Sequence, residues 1–332
     1  MNAMTGFIEI TPWHWAGFIL CILIFLSLDL GAFHRRVRMV KFREALAWSA
    51  LWVALALAFA FSMVFWRGHE DAEAFTTGYV IELSLSLDNI LVIALLFAWF
   101  RVPPEYQHRL LFWGILGALV MRGAMIAAGA ALIHQFDWVL YIFGAFLVFA
   151  GAKMFFSKQE IVRPEKNPML RLVRKFFPVA QNLDGQKFFT RLGGRFALTP
   201  LALVLLLVET TDLIFAVDSV PAVFSVTRKA FIVFTSNVFA ILGLRSMYFL
   251  LVGALGYFRY LKIGLSVVLA FIGAKMLLDP HEHNPQWFQI EISTSVSLLV
   301  VAAILLISVA LSVVVARREK KNELRMDTDG HG

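Results

Sequence analysis

The feature that decides the fold is a succession of apolar stretches, each roughly twenty residues long, running through nearly the whole chain. A helix rises about 1.5 Å per residue and the hydrocarbon core of a bilayer is about 30 Å thick, so each stretch is long enough to cross. Lipid offers no partner for an open backbone N–H or C=O, which leaves helices as the structure for such segments. About nine spans are expected, over 13–33, 45–66, 76–100, 110–133, 138–156, 198–222, 230–252, 256–278 and 290–315. Charged residues make up only 16% of the 332, against about 25% in soluble domains. The fold class is therefore all-α, a polytopic transmembrane helix bundle. The first stretch exceeds a signal h-region, is followed by basic residues and lacks an A-x-A cleavage pattern, so it reads as structure. The one cysteine, Cys21, cannot build a disulfide framework or a thiolate metal site.

Lys and Arg set the orientation. With the N-terminus outside, the inner side receives Arg35, Arg36, Arg38, Lys41 and Arg43, then Arg101 and Arg109, nine basic residues from Lys158 to Arg195, Arg259 and Lys262, and a basic tail from Arg317 to Arg325. The outer side receives only Arg67, Arg228 and Lys229. The positive-inside bias thus gives N-out, C-in. The net charge of +7 is an orientation signal, and needs no nucleic-acid partner. The one long connection contains Pro164, Pro168 and an amphipathic stretch over 170–177, read as a linker with a surface helix held near anionic lipid.

The two halves repeat. Glu82 and Asp88 in the third span match Asp212 and Asp218 in the sixth, six apart in both. Arg122 precedes Ala130-Ala131-Leu132 as Arg245 precedes Gly253-Ala254-Leu255, and Gly151-Ala-Lys-Met154 matches Gly273-Ala-Lys-Met276. Three spans per copy is odd, so a 3+3 repeat of spans 3–5 and 6–8 must be inverted, an architecture that many secondary transporters use around a midplane site. The expected division is 1–75 for two N-terminal spans, 76–156 for the first repeat, 157–197 for the basic linker, 198–278 for the second repeat, and 279–332 for the last span and basic tail.

Asp29, Glu82, Asp88, Glu209, Asp212 and Asp218 fall inside spans. Each central Asp facing lipid costs about 2.5–3.5 kcal/mol, so such acids turn inward and are neutralised there. Two arginines, Arg122 and Arg245, cannot balance six carboxylates; protons or a bound cation must. Oxygen ligands from Glu82, Asp88, Asn89, Glu209, Asp212 and Asp218, with Ser84, Asn237 and Asp29 as accessories, suit hard or borderline divalent ions such as Mn, Mg or Ca. The absence of intramembrane His or Cys beyond Cys21 speaks against copper or a dedicated zinc site. Glu209 and Asp212 share a helix face, whereas residues six apart lie about 120° apart on a straight helix. Pro221 is expected to break the sixth span near residue 217. Lys153 and Lys275 are expected to snorkel at span ends. His69-Glu70-Asp71 and His281-Glu282-His283 read as polar outer loops.

Leu28-Asp-Leu-Gly31 with His34-Arg-Arg36, the run from Glu82 to Asn89, Phe215-Ala-Val-Asp-Ser-Val-Pro221, and the run from Thr235 to Arg245 together resemble the TerC family of membrane proteins, and within it the longer Alx-type branch. That resemblance implies a LysE-like transporter exporting manganese, with links to tellurite resistance and alkaline response, and the acids of spans 3 and 6 on the cation path. The metal is then cargo and no permanently bound cofactor is expected. Partners are the bilayer, the metal ion and, as antiport counter-ions, protons. The location implied is a bacterial inner membrane. An intramembrane aspartyl protease is set aside, because neither Asp88 nor Asp218 sits in a Gly-x-Gly-Asp or Tyr-Asp context; the chain is not expected to be an enzyme. Two alternatives stay open: export of an organic cation or amino acid, and a non-transporting component of metal or tellurite stress resistance.

Overall fold

The computed structural model describes residues 10–33, 42–156, 168–180, 182–192, 194–252, 261–279, 289–290 and 292–329. Its helices are α1 (Pro12–Phe33), α2 (Phe42–Trp66), α3 (His69–Trp99), α4 (Pro104–Gln135), α5 (Val139–Phe156), α6 (Pro168–Phe176), α7 (Pro200–Phe224), α8 (Ala230–Val252), α9 (Leu261–Leu278) and α10 (Thr294–Asp329). Two short strands, β1 (Phe189–Leu192) and β2 (Arg195–Leu198), lie between α6 and α7. Eight of the described helices are long and apolar enough to cross a membrane, and α1 adds a shorter apolar stretch, Pro12–Ser27. All nine fall on the expected spans. The chain is a polytopic helical bundle.

Packing is reciprocal between the two helix triplets. Both α3 and α4 pack on α7 and on α8, and α5 runs along α9. The α5–α9 contact is made by backbone: a Cβ on Gly151 would meet the Ser266 carbonyl and Ala270 nitrogen, and one on Gly273 would meet the Val148 nitrogen and the Gly144 carbonyl. The two helices therefore run antiparallel, with Gly151 seated on the 266–270 stretch of α9 and Gly273 on the 144–148 stretch of α5. Small residues allow this approach where lipid gives helices no hydrophobic reason to associate. Outside this core, α2 packs on α8 and α3, and α10 on α3 and α9. Trp15 and Phe18 of α1 meet Phe231 and Phe234 of α8.

One end of the bundle is tied by ion pairs. Asp71 takes Arg67 at 2.8 Å and Lys229 at 2.5 Å, and Asp137 takes Arg228 at 2.7 Å. The three basic residues expected outside are thus each matched by an acid. His69, Glu70 and Asp71 are not a loop: they form the first turn of α3, and Asp71 is buried. At the opposite end, Tyr248 donates to Gln107 at 3.1 Å, joining the tail of α8 to the head of α4.

Three further expectations change. The linker contains a β-hairpin as well as the expected surface helix. Its strands pair from Phe189 with Leu198 to Leu192 with Arg195, and Gly194, just before β2, has a φ of 80°; the sequence there reads Gly193-Gly194. A Gly-Gly pair of this kind is a two-residue hairpin signal. Pro221 does not break α7, which continues to Phe224. The proline lies in the final turn, so only the bond to the Val217 carbonyl is forfeited. The α3 helix is likewise continuous from His69 to Trp99. Lys275 is buried and not snorkelling, with the charge of Asp279 acting on it one turn further on. Residues 253–260 and the His281–His283 segment lie outside the described residues.

The glycine seam gives a stability prediction. Gly151→Leu should lower the unfolding midpoint in detergent, with overpacking costing about 1–3 kcal/mol or more. Gly17→Ala on α1, with no neighbour within 4 Å of the added methyl, should be neutral or slightly stabilising. Thermal unfolding of the two variants beside the parent measures both.

Candidate cation site

Arg122, near the middle of α4 and 2% exposed, is the hub. Its guanidinium meets Asp212 of α7 along one edge, Nε donating to Oδ2 at 3.2 Å and Nη2 to Oδ1 at 2.9 Å. Nη1 is ion-paired with Glu82 of α3. The same nitrogen donates to Ser219 Oγ at 3.3 Å and to Asn237 Oδ1 of α8 at 3.1 Å. The Asn237 amide is oriented by donating its own Nδ2 to the Val233 carbonyl at 3.2 Å. Asn89 of α3 donates Nδ2 to Asp212 Oδ1 at 2.7 Å. A carboxylate can only accept here, so that bond fixes which way the Asn89 amide points. Four helices are thereby joined through one guanidinium.

The arrangement leaves acceptors without donors. Asn89 Oδ1 and Glu209 Oε2 are buried with no hydrogen-bond partner. Glu209 lies one turn before Asp212, so the two share a face toward α4, and the charge of Asp212 acts on Glu209. The Glu209 carboxylate rests against the Gly117 backbone, where even a methyl group would overlap it. A small cavity lies between α3, α4, α7 and α8, lined by Asn89, Asp212 and Arg245, with Gly114, Ala118 and Val208 in its walls. It has room for about one water-sized body.

The expected single cluster is divided. Glu82, Asn89, Asp212 and Asn237 meet at Arg122, and Glu209 stands beside them. Among the described residues Asp88 and Asp218 make no hydrogen bond with this group; the charge of Lys262 acts on Asp88 and that of Lys153 on Asp218. The reason is the continuity of α3 and α7, which turns residues six apart to different sides. Among the described residues no three His, Cys, Asp or Glu side chains stand ready to hold a metal ion. The Ser84 hydroxyl is turned onto the Val80 carbonyl at 2.5 Å. Asp29 falls in α1, but its side chain lies outside the described residues.

The integral membrane protein TerC family profile matches residues 67–320, a stretch holding every helix that lines the site. The chain belongs to the TerC family. Among its relatives, an uncharacterized membrane protein of Myxococcus xanthus is 50% identical over 308 residues, covering 92% of this chain and 94% of its own. Proteins described as "Putative membrane-bound redox modulator Alx" are 46% identical in Salmonella typhi (94% of this chain, 97% of that one) and 47% in Escherichia coli K12 (83% and 88%). No solved structure matches.

Two groups in this TerC chain escaped the sequence. Ser219 stood inside a quoted motif but was given no role. His108 lies two residues before the apolar run that marks the fourth span in the sequence. In fact α4 starts at Pro104, and His108 is half-buried with Nδ1 3.1 Å from Arg245 Nη2, its ring tilted against that of Phe249 with centroids 4.4 Å apart. Replacing Arg122 by Met should destabilise the protein by about 3–5 kcal/mol, because two carboxylates stay buried without their counter-charge. Adding Glu82→Gln and Asp212→Asn to that variant should recover most of the loss. Unfolding in mixed detergent–urea checks both outcomes.

Proposed function

We propose that the protein is a secondary transporter that exports a divalent metal ion, with Mn2+ as the leading cargo, from the cytoplasm of a bacterium across its inner membrane. One observation carries the reading: Asn89 Oδ1 and Glu209 Oε2 stand buried in mid-span without a hydrogen-bond partner beside the Arg122 group, and Asn89 and Asp212 line a small cavity there. Buried acceptors without donors are costly, and an all-oxygen set of carboxylate and amide groups answers a hard cation. The metal enters as substrate at the cavity and loosens the hold of Arg122 on Asp212. Metal and proton compete for the same oxygens, which supports proton antiport. Asp88 and Asp218 serve as further stations on the path, each offset by a distant lysine.

The inverted 3+3 arrangement, with the N-terminus outside, is supported by the reciprocal packing of the helix triplets, by the odd number of spans in each, and by the placement of Arg67, Arg228 and Lys229 at one end. A cargo the size of an amino acid finds no room in a cavity this small, although Arg245 in its wall would suit a carboxylate. Relatives carry a redox description. With Cys21 as its one cysteine, this chain holds no dithiol couple of its own, and a redox effect would pass through the metal it moves.

Purified protein in liposomes loaded with a manganese-sensitive dye should move Mn2+. Glu209→Gln, which keeps shape and removes charge, should reduce that flux by about tenfold or more, the loss of one strong ligand being on the order of 1.4 kcal/mol or greater. Gly117→Ala should reduce it too, by displacing the Glu209 carboxylate without touching any charged residue. Undiminished flux in both would refute this site, and flux of lysine with none of any divalent metal would move the cargo to organic cations.

A further inference from the structure

The α6 helix has more faces than its packing uses. At about 100° per residue, its side chains divide into three groups roughly a third of a turn apart. Leu170 and Val173 face the bundle, Leu170 being buried in the core beneath α7. Arg171, Arg174 and Lys175 make a second, basic face. The third face carries Leu172 and Phe176, 51% and 68% exposed. This apolar stripe points away from the protein on a helix too short to span.

The helix is tied to the hairpin as one unit. Ala180 donates to the Leu198 carbonyl at 2.8 Å, and Leu198 to the Pro178 carbonyl at 2.9 Å. One side of that hairpin displays Phe189 and Phe196, also exposed, with the Arg191 guanidinium 5.6 Å above the Phe196 ring. The depth of the unit is set by its anchors. Thr199 donates to the Lys187 carbonyl at 2.7 Å and caps the first turn of α7, and Phe188 lies under Arg109 near the head of α4. Strand β2 ends two residues before the apolar run of α7 begins, so the unit sits at the boundary between hydrocarbon and headgroups.

We propose that α6, with the β1–β2 hairpin, is a lipid-docking element that binds an anionic leaflet, its Leu172 and Phe176 entering the acyl boundary and Arg171, Arg174 and Lys175 meeting headgroup phosphate. Charge complementarity selects this occupant. A helix with an apolar stripe flanked by Lys and Arg lies in the membrane interface, and each basic residue near an anionic surface adds to the hold. The inference is independent of what the protein transports, so neither stands or falls with the other.

The test uses the full chain with Cys21→Ser and a single Phe176→Cys carrying an environment-sensitive nitrobenzoxadiazole label. It is reconstituted into vesicles of phosphatidylcholine, with or without phosphatidylglycerol. In the anionic vesicles the emission should shift blue, doxyl-labelled lipid should quench it and iodide should not. Added salt, or Arg171→Gln with Arg174→Gln and Lys175→Gln, should return the label to water. The docked-to-undocked ratio should fall about fivefold per charge removed. The comparison between lipids is made on one and the same protein, so it holds even where the glutamine variant folds poorly. A label that iodide quenches equally in both lipids overturns the proposal. So does one shielded from iodide and untouched by doxyl lipid, which would assign the stripe to a second copy of the chain.

Discussion

A guanidinium held in the middle of the bundle by two carboxylates is the constraint around which the rest is arranged. Arg122 meets Asp212 with two nitrogens and Glu82 with a third, and both acids are almost wholly shut off from solvent. Charges so placed are held only by mutual attraction and by hydrogen bonds to every remaining edge, since the cost of removing them from water is several kcal/mol per ion. Ser219 and Asn237 supply such bonds to Arg122 and Asn89 to Asp212, while Glu82 is held by its ion pair with Arg122. The four helices that contribute them cannot separate without exposing one of these groups to an apolar surrounding. Specific packing at the centre is therefore electrostatic, while the periphery is apolar and faces lipid.

Against that closed centre stands an excess of negative charge. Glu209, Asp88 and Asp218 also lie within α3 and α7, outside the group that Arg122 holds. Lys153 and Lys262 act on two of them from a distance. Charge that a protein cannot neutralise with its own side chains must be met by something mobile, and in a membrane-embedded site the mobile species are cations. The same surplus explains why small residues line α4 where it faces α7: Gly114, Gly117 and Ala118 leave space beside the acids that any larger side chain would fill.

The spans were legible because lipid imposes a rule on each segment by itself: twenty apolar residues, whatever lies elsewhere in the chain. The acids inside them were legible for the same reason. Their grouping was not, because it depends on how α3, α4, α7 and α8 are turned against one another. Six oxygens pictured as one cluster became a group on Arg122, a neighbour in Glu209 and two outliers. Pro221 misled because a proline matters according to its distance from the helix end, and α7 stops three residues later. His108 was lost to a boundary drawn by hydropathy through a helix that begins a turn earlier. The hairpin at Gly193-Gly194 did have a local signal, obscured by the basic linker around it.

The glycine contact between α5 and α9 carries a mechanical consequence. Where backbone touches backbone there are no side-chain ridges to ratchet over one another, and any slide drives a carbonyl into a neighbouring chain. Such a joint resists translation and yields only to small rotation. Any relative movement of the longer helices on which the charged centre is mounted would have to pivot about it.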